Sequence, residues 1–277
     1  MRLRKRFRIR FRESLRARPL VALLGCAAAL APPGAGAYGP QGHRVAGALA
    51  EPLLCRSAAA RVAEISGGRS LAELGVWADT IRDEPRWRNT GPWHYMNIAD
   101  GRALSSYRHP PEGDVLLAIE RSAADLTQAS SRAERLDALR FLIHFIVDVH
   151  QPLHVGRASD RGGNTIDVRY GSTTVNLHRF WDTDVLEVAG LSRAEYERAV
   201  RPKVVELARM PQSFAPEAWA AESLALRSQV YAFPRSRGGP AVLDSRYLER
   251  ADAITRDRLA HAAVRLASTL NRLFGCG

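Results

Sequence analysis

Apolar residues recur at helical spacing over seven stretches, Gly42 to Ile65, Leu71 to Ile81, Asp114 to Leu126, Arg135 to Gln151, Arg193 to Ala208, Trp219 to Tyr231 and Ser245 to Phe274. The pattern predicts an all-α fold. Within the fourth stretch, Phe141-Leu142-Ile143-His144-Phe145-Ile146-Val147-Asp148-Val149 is apolar nearly all round, and a helix with no polar face is a buried, central one. Its polar exceptions are His144 and Asp148. Pro152 ends this helix. The Gly-rich run from Arg157 to Asn176 then predicts a loop and a small hairpin within 165–177, Thr165 to Tyr170 against Thr173 to Leu177. The stretches Pro211 to Pro216 and Pro234 to Pro240 read as irregular connections, and no repeat or heptad seam is present.

The first 37 residues stand apart. Met1 to Leu20 carries nine Arg/Lys against one acid, Glu13; Val21 to Leu30 is apolar but too short to span a membrane; Ala35-Gly36-Ala37 has the small-x-small pattern of a cleavage site. These features predict a signal peptide over 1–37, a mature chain of 38–277 beginning at Tyr38, and a secreted or periplasmic protein. The leader also changes the charge: the formal +11 of the whole chain falls to about +3 once it is set aside, with 31 basic residues against 28 acidic ones. A broad basic surface for gripping duplex nucleic acid is therefore not supported, and any attraction for anions has to come from a local site. A mature chain of 240 residues can bury one core, and no apolar run in it is long enough to cross a bilayer, so a single monomeric domain is expected. Cys26 falls in the leader. Cys55 and Cys276 remain, one near each end, and in an oxidising compartment they could staple the terminal helices with a disulfide.

The spacing His144-x3-Asp148-x5-His154, followed by His178-x3-Asp182, carries the chemistry. Residues four apart on a helix share a face, so each His/Asp pair presents an imidazole and a carboxylate to one point. One such pair could simply be hydrogen-bonded to itself. Two pairs, one of them on the most apolar helix, point to a cation, because buried ionisable groups are costly without one. Two further segments belong with them: Tyr38-Gly39-Pro40-Gln41-Gly42-His43, and Trp77-Ala78-Asp79-Thr80-Ile81-Arg82 followed by Trp93-His94-Tyr95. Five of the eight histidines lie in these contexts, and with Asp79, Asp148 and Asp182 they form a nitrogen and oxygen donor set without thiolate. Iron or manganese could use such donors; an imidazole-rich site in an exported protein favours zinc.

The order Tyr-Gly-x2-Gly-His, Trp-Ala-Asp-x2-Arg, Trp-His-Tyr, His-x3-Asp-x-His-Gln-Pro-Leu-His, Gly-Gly-Asn and His-x3-Asp, from Tyr38 to Asp182, resembles the S-one/P-one family of zinc-dependent single-strand nucleases and 3′-nucleotidases. The resemblance implies a helical domain with three zinc ions at the bottom of a cleft, a fold shared with zinc-dependent phospholipase C. It implies that Asp79, His94, His144 and Asp148 hold the first zinc and His154, His178 and Asp182 the second. Asp148 would bridge to a third, held also by His43 and by the α-amine and carbonyl of Tyr38, where the family usually has Trp. Asp79, Asp148 and Arg82 are thereby placed in the reaction, with Arg82 on the phosphate. Such a cluster lowers the pKa of bound water to about 7, which supplies a nucleophile at neutral pH. The expected products from single-stranded DNA and RNA end in 5′-phosphate, and 3′-nucleotides are further substrates.

Four substrate-binding positions follow from the same resemblance: Arg82, Tyr95, which would stack on a base, Asn97, which stands where the fungal enzymes carry aspartate, and Asn164 after Gly162-Gly163. Tyr95 could instead be packing, Arg82 a surface arginine and Asn164 a turn residue. His150 lies off the ligand face and reads as supporting or structural, His109 and His261 as solvated. A zinc phospholipase C would use nearly the same ligands, but places glutamate where this chain has Asp182. A non-catalytic zinc-binding protein would need neither Arg82 nor a defined N-terminus.

Overall fold

The computed structural model describes residues 38–234 and 238–276. The signal peptide expected over 1–37 lies outside the described residues. The helices are α1 (Pro40–Ala50), α2 (Arg56–Ser66), α3 (Leu71–Leu74), α4 (Trp77–Thr80), α5 (Val115–Gln128), α6 (Arg132–Val149), α7 (Leu177–Arg179), α8 (Val185–Val188), α9 (Arg193–Leu207), α10 (Pro216–Ala225), α11 (Arg227–Val230) and α12 (Ser245–Leu273), with a π-helical turn, Phe180–Asp184, joining α7 to α8. The fold is mostly α, as the spacing of apolar residues implies.

Each of three stretches expected as one helix is two. Pro52 has no backbone N–H to give, and the stretch from 42 to 65 breaks there into α1, a 3₁₀ turn over Glu51–Leu53, and α2. The second stretch splits at Gly75 into α3 and α4, and the sixth at Leu226 into α10 and α11. The fourth and seventh are continuous. α6 begins in a capping box in which Ser131 and Glu134 satisfy each other's backbone N–H groups, and α12 begins under Asp244, whose side chain accepts from Tyr247.

α6 lies where its composition requires. Phe141 to Val149 is buried without a break, packed against α5 on one side and against α12, α3 and α4 on others. α1 is laid across α12 and α3, and Gly47 lets it approach: a Cβ there would sit 2.6 Å from the Ala72 nitrogen. The β elements are two small sheets. Strands β1 (Met96–Ile98) and β2 (Val155–Arg157) pair in parallel, with Asn97 opposite Gly156. Strands β3 (Asp167–Tyr170) and β4 (Thr173–Asn176) form the expected antiparallel hairpin, and β5 (Ala241–Val242) adds in parallel to β3.

Cys55 caps α2 and is bonded to Cys276, just beyond the end of α12, with Cα atoms 6.4 Å apart. The two termini are joined a second way: Asn271 of α12 accepts from the Cys55 N–H and donates to the Leu53 carbonyl, at 2.9 and 3.0 Å. The disulfide closes a loop with a sequence separation of 221 residues, so its main effect is to restrict the unfolded chain. Cys276→Ser should lower the unfolding free energy by about 2–5 kcal/mol in denaturant melts under oxidising conditions. The same loss should appear in the wild-type chain under reductant, and a variant as stable as the oxidised parent would contradict the assignment.

Candidate metal centre

Seven elements deliver the eight His and Asp side chains to one buried place. α6 supplies His144 and Asp148 from a single face; the 3₁₀ turn Pro152–His154 that follows Pro152 supplies His154; α7 and the π-turn supply His178 and Asp182. α4 supplies Asp79, the 3₁₀ turn Gly91–His94 supplies His94, and α1 supplies His43 one turn after Gly39. All five histidines and both Asp148 and Asp182 are buried, while Asp79 stands at the edge with its side chain 16% exposed.

Asp148 is the common member. Its Oδ2 lies 3.0 Å from His94 Nδ1 and 3.2 Å from His144 Nε2, and its Oδ1 lies 3.3 Å from His43 Nε2 and 3.8 Å from His154 Nδ1. Asp79 Oδ1 approaches His144 Nε2 at 3.6 Å, and Asp182 meets His154 Nε2 at 3.4 Å and His178 Nε2 at 3.2 Å. Three groups could each hold a metal ion: His43, His144 and Asp148; Asp79, His94 and His144; His154, His178 and Asp182, with ligand atoms within 4.8 Å of one another in each.

The hydrogen bonds test whether a metal fits. Three rings are anchored outward: His144 Nδ1 donates to the Gly75 carbonyl at 2.7 Å, His154 Nδ1 to the His94 carbonyl at 2.6 Å, and His178 Nδ1 to the Gly162 carbonyl at 2.7 Å. A neutral imidazole protonated at Nδ1 leaves the lone pair on Nε2, which in all three points inward. Among the inward atoms, His43 Nε2, His154 Nε2, Asp148 Oδ1 and Asp182 Oδ2 have no hydrogen-bond partner although buried. Buried polar atoms in a folded protein are nearly always satisfied. Four of them facing one interior point to cations, and the donors fit.

The electrostatics agree. Burial works against ionising Asp148, yet His144 and His154 hold its carboxyl well below the usual range. Burial, with His144 beside it, lowers His43; burial foremost lowers His94 to about 3 and also lowers His178, so these rings are neutral and able to ligate. For His154, burial is outweighed by Asp148 and Asp182 and the value rises to about 9; His144 rises in the same way beside Asp148 and Asp79. In these two, a proton answers the carboxylates where a metal would.

The other expected residues divide. Arg82 reaches the cluster's edge, its guanidinium 2.6 Å from Asp79 Oδ1 and a quarter exposed. Tyr38 is wholly buried, and its neighbour Gly39 donates its N–H to the Asp182 carbonyl at 2.6 Å, so the start of the expected mature chain is seated against the second His/Asp pair. Tyr95, next to His94, is 40% exposed and open to a ligand. Asn97 lies on β1 facing the Gly162 loop: a Cβ at Gly162 would be 3.7 Å from its Oδ1. Asn164 bonds back to the Arg161 carbonyl at 2.8 Å and is not brought to the cluster by any bond of its side chain among the described residues. His150 is structural. Its Nδ1 donates to Ile146 and its Nε2 accepts from Arg265, which with Arg258 is paired to Glu222; burial and the two arginines keep the ring neutral. His109, paired with Asp114, and His261, bonded to the Asp257 carbonyl, stay away from the cluster. Sequence reasoning gave no role to Gln151, whose amide donates to Asp182 Oδ1 at 2.6 Å; its place between His150 and Pro152 was the available signal.

Known proteins resemble this chain over most of its length. The family described as S1/P1 Nuclease matches residues 38–275. Endonuclease 4 of Arabidopsis thaliana is 31% identical over 275 residues, spanning 87% of this chain and 90% of its own. Nuclease S1 of Aspergillus oryzae and nuclease P1 of Penicillium citrinum are each 32% identical, over 55% and 53% of this chain and 55% and 57% of their own. The matched span takes in every residue of the cluster, and the chain belongs to the S1/P1 nuclease family.

Proposed function

We propose that this S1/P1 nuclease cuts single-stranded DNA and RNA to products ending in 5′-phosphate, and removes phosphate from 3′-nucleotides, with three zinc ions held in the His/Asp cluster. The observation that carries the reading is Asp148: one buried carboxylate touching four imidazoles, in a cluster where His43 Nε2, His154 Nε2, Asp148 Oδ1 and Asp182 Oδ2 lack hydrogen-bond partners. Asp79, His94, His144 and Asp148 would form one site, His154, His178 and Asp182 the second, and His43, Asp148 and the α-amine and carbonyl of Tyr38 the third. Nitrogen and oxygen donors without thiolate suit zinc. When bound, zinc supplies Lewis acidity toward a phosphodiester and lowers the pKa of water to about 7.

The chain's own residues do the rest. Asp79 holds the Arg82 guanidinium at the rim, where it can donate to a non-bridging phosphate oxygen and stabilise charge that grows there. The exposed ring of Tyr95 offers a stacking face for a base, with Asn97 on β1 and Asn164 in the turn after Gly163 taken as further substrate contacts. A splayed base can reach such a face only from an unpaired strand, since leaving a duplex costs a few kcal/mol per base. A buried centre therefore selects single strands by access, without a broad basic surface.

Removal of residues 1–37 is part of the same reading. Tyr38 can offer its α-nitrogen only as a free amine, because an amide lone pair is delocalised into the peptide bond. The disulfide accords with export to an oxidising compartment, and among the described residues no helix is long and apolar enough to cross a membrane. We take the secreted or periplasmic chain to act as a monomer.

Two experiments test this. On matched substrates, the mature protein should degrade single-stranded DNA and RNA much faster than duplex, leaving 5′-phosphate ends by product analysis; equal rates on duplex would contradict it. A form with Met-Gly left before Tyr38 should carry two zinc ions per chain instead of three by elemental analysis, and lose most single-strand cleavage. Full zinc and full activity in the extended form would remove Tyr38 from the ligand set.

A further inference from the structure

The sequence Asp160-Arg161-Gly162-Gly163 forms a turn in which three successive residues are left-handed, with φ of 55°, 65° and 85° at Arg161, Gly162 and Gly163. Glycine adopts such angles freely; Arg161 does not, and it is the one non-glycine residue with positive φ among the described residues. A strained residue persists where its surroundings over-determine it. Here the determinants are visible. Asp160 is 7% exposed, and its Oδ1 accepts twice: from the Gly163 N–H at 2.7 Å and from the Tyr231 hydroxyl at 3.0 Å, across 71 residues of sequence. Tyr231 is fixed in turn by the Arg157 guanidinium, 3.8 Å above its ring, which is itself paired to Asp100 at 3.1 Å.

The turn faces His178 with two carbonyls. Gly162 accepts from His178 Nδ1 at 2.7 Å, and Gly163 accepts from the His178 backbone N–H at 3.4 Å. Its other side is packed hard on β2, where a Cβ at Gly156 would lie 2.4 Å from the Gly162 Cα. The loop can therefore move only away from the strand, and the Asp160 carboxylate with the Tyr231 hydroxyl opposes this together with the Gly162 N–H, which donates to the Arg157 carbonyl at 2.9 Å.

We propose that Asp160, held by Tyr231, is a positioning residue for His178: the pair clamps the left-handed turn so that the Gly162 carbonyl fixes His178 with its proton on Nδ1 and its lone pair on Nε2, facing Asp182. The proposal rests on the reading of His178 as a zinc ligand. A partner that orients a metal-binding imidazole is worth about 10–100-fold in metal affinity.

The test compares Asp160→Ala, Asp160→Asn, Tyr231→Phe and His178→Ala in the full mature protein, measuring zinc per chain and zinc affinity by chelator competition, with thermal melts of the loaded forms. Asp160→Ala and Tyr231→Phe should each weaken one of the three sites about 10–100-fold. Asp160→Asn keeps an acceptor oxygen for both bonds and should recover wild-type affinity. Tyr231→Phe retains the ring and its stacking on Arg157, and so carries the test even where Asp160→Ala does not fold. Unchanged affinity at all three sites in Tyr231→Phe, with only a lower melting temperature, would overturn the proposal. Unchanged affinity in His178→Ala would overturn the ligand reading beneath it.

Discussion

The structure depends on burying ionised and ionisable groups in the C-terminal part of its most apolar helix. Asp148 and His144 lie fully buried on α6 among Phe145, Ile146 and Val147, where an unpaired charge costs several kcal/mol after any relaxation. Protein partners do not complete the site: the imidazoles around Asp148 also face inward with atoms left over. A cluster of this kind is a debt that only cations discharge, and the rest of the fold can be understood as the means of holding it together until they do.

Those means are mostly backbone. The carbonyls of Gly75, His94 and Gly162 each take one Nδ1 proton and turn a ring inward, and none of these acceptors belongs to the element that carries its histidine. The π-turn Phe180–Asp184 is a second such device. It places Asp182 one turn beyond His178 while its carbonyl accepts the Gly39 N–H, so the same residue lines the centre and holds the segment that leads into α1. Behind the cluster, Arg258 and Arg265 on α12 pair with Glu222 and reach the carbonyl and ring of His150, fixing the end of α6 from the far side. Rigid backbone acceptors and a buried ion network hold the cluster's side chains in place beside the contacts they make with one another.

Much of this was legible in the sequence, and the parts that were not have physical reasons. The continuous apolar run of α6 announced a central helix, and its two polar interruptions four apart announced a site. The hairpin of β3 and β4 was visible because Gly171 sits at the turn with φ of 53°. The parallel pairing of β1 with β2 was not, since three-residue strands carry no periodicity and their register is set by the chain between them. Pro52 broke a helix whose apolar spacing continued unperturbed through it, a case where a missing N–H overrides pattern. The outward anchors of the histidines were invisible because a carbonyl acceptor has no side-chain signature. The positive φ of Arg161 was equally hidden, since nothing in an arginine codes for it.

The central claim is that the fold is completed by metal, and the most direct test is the thermal stability of the mature protein stripped with a chelator and then reloaded. A ligand that binds only the folded state stabilises it by about 4 kcal/mol at a thousandfold excess over its dissociation constant. The account predicts a fall of many degrees in melting temperature on stripping, fully restored by zinc and not by calcium, whose preference is for oxygen ligands. A stripped protein that melts where the loaded one does would mean that the buried histidines and aspartates satisfy one another, and would contradict it.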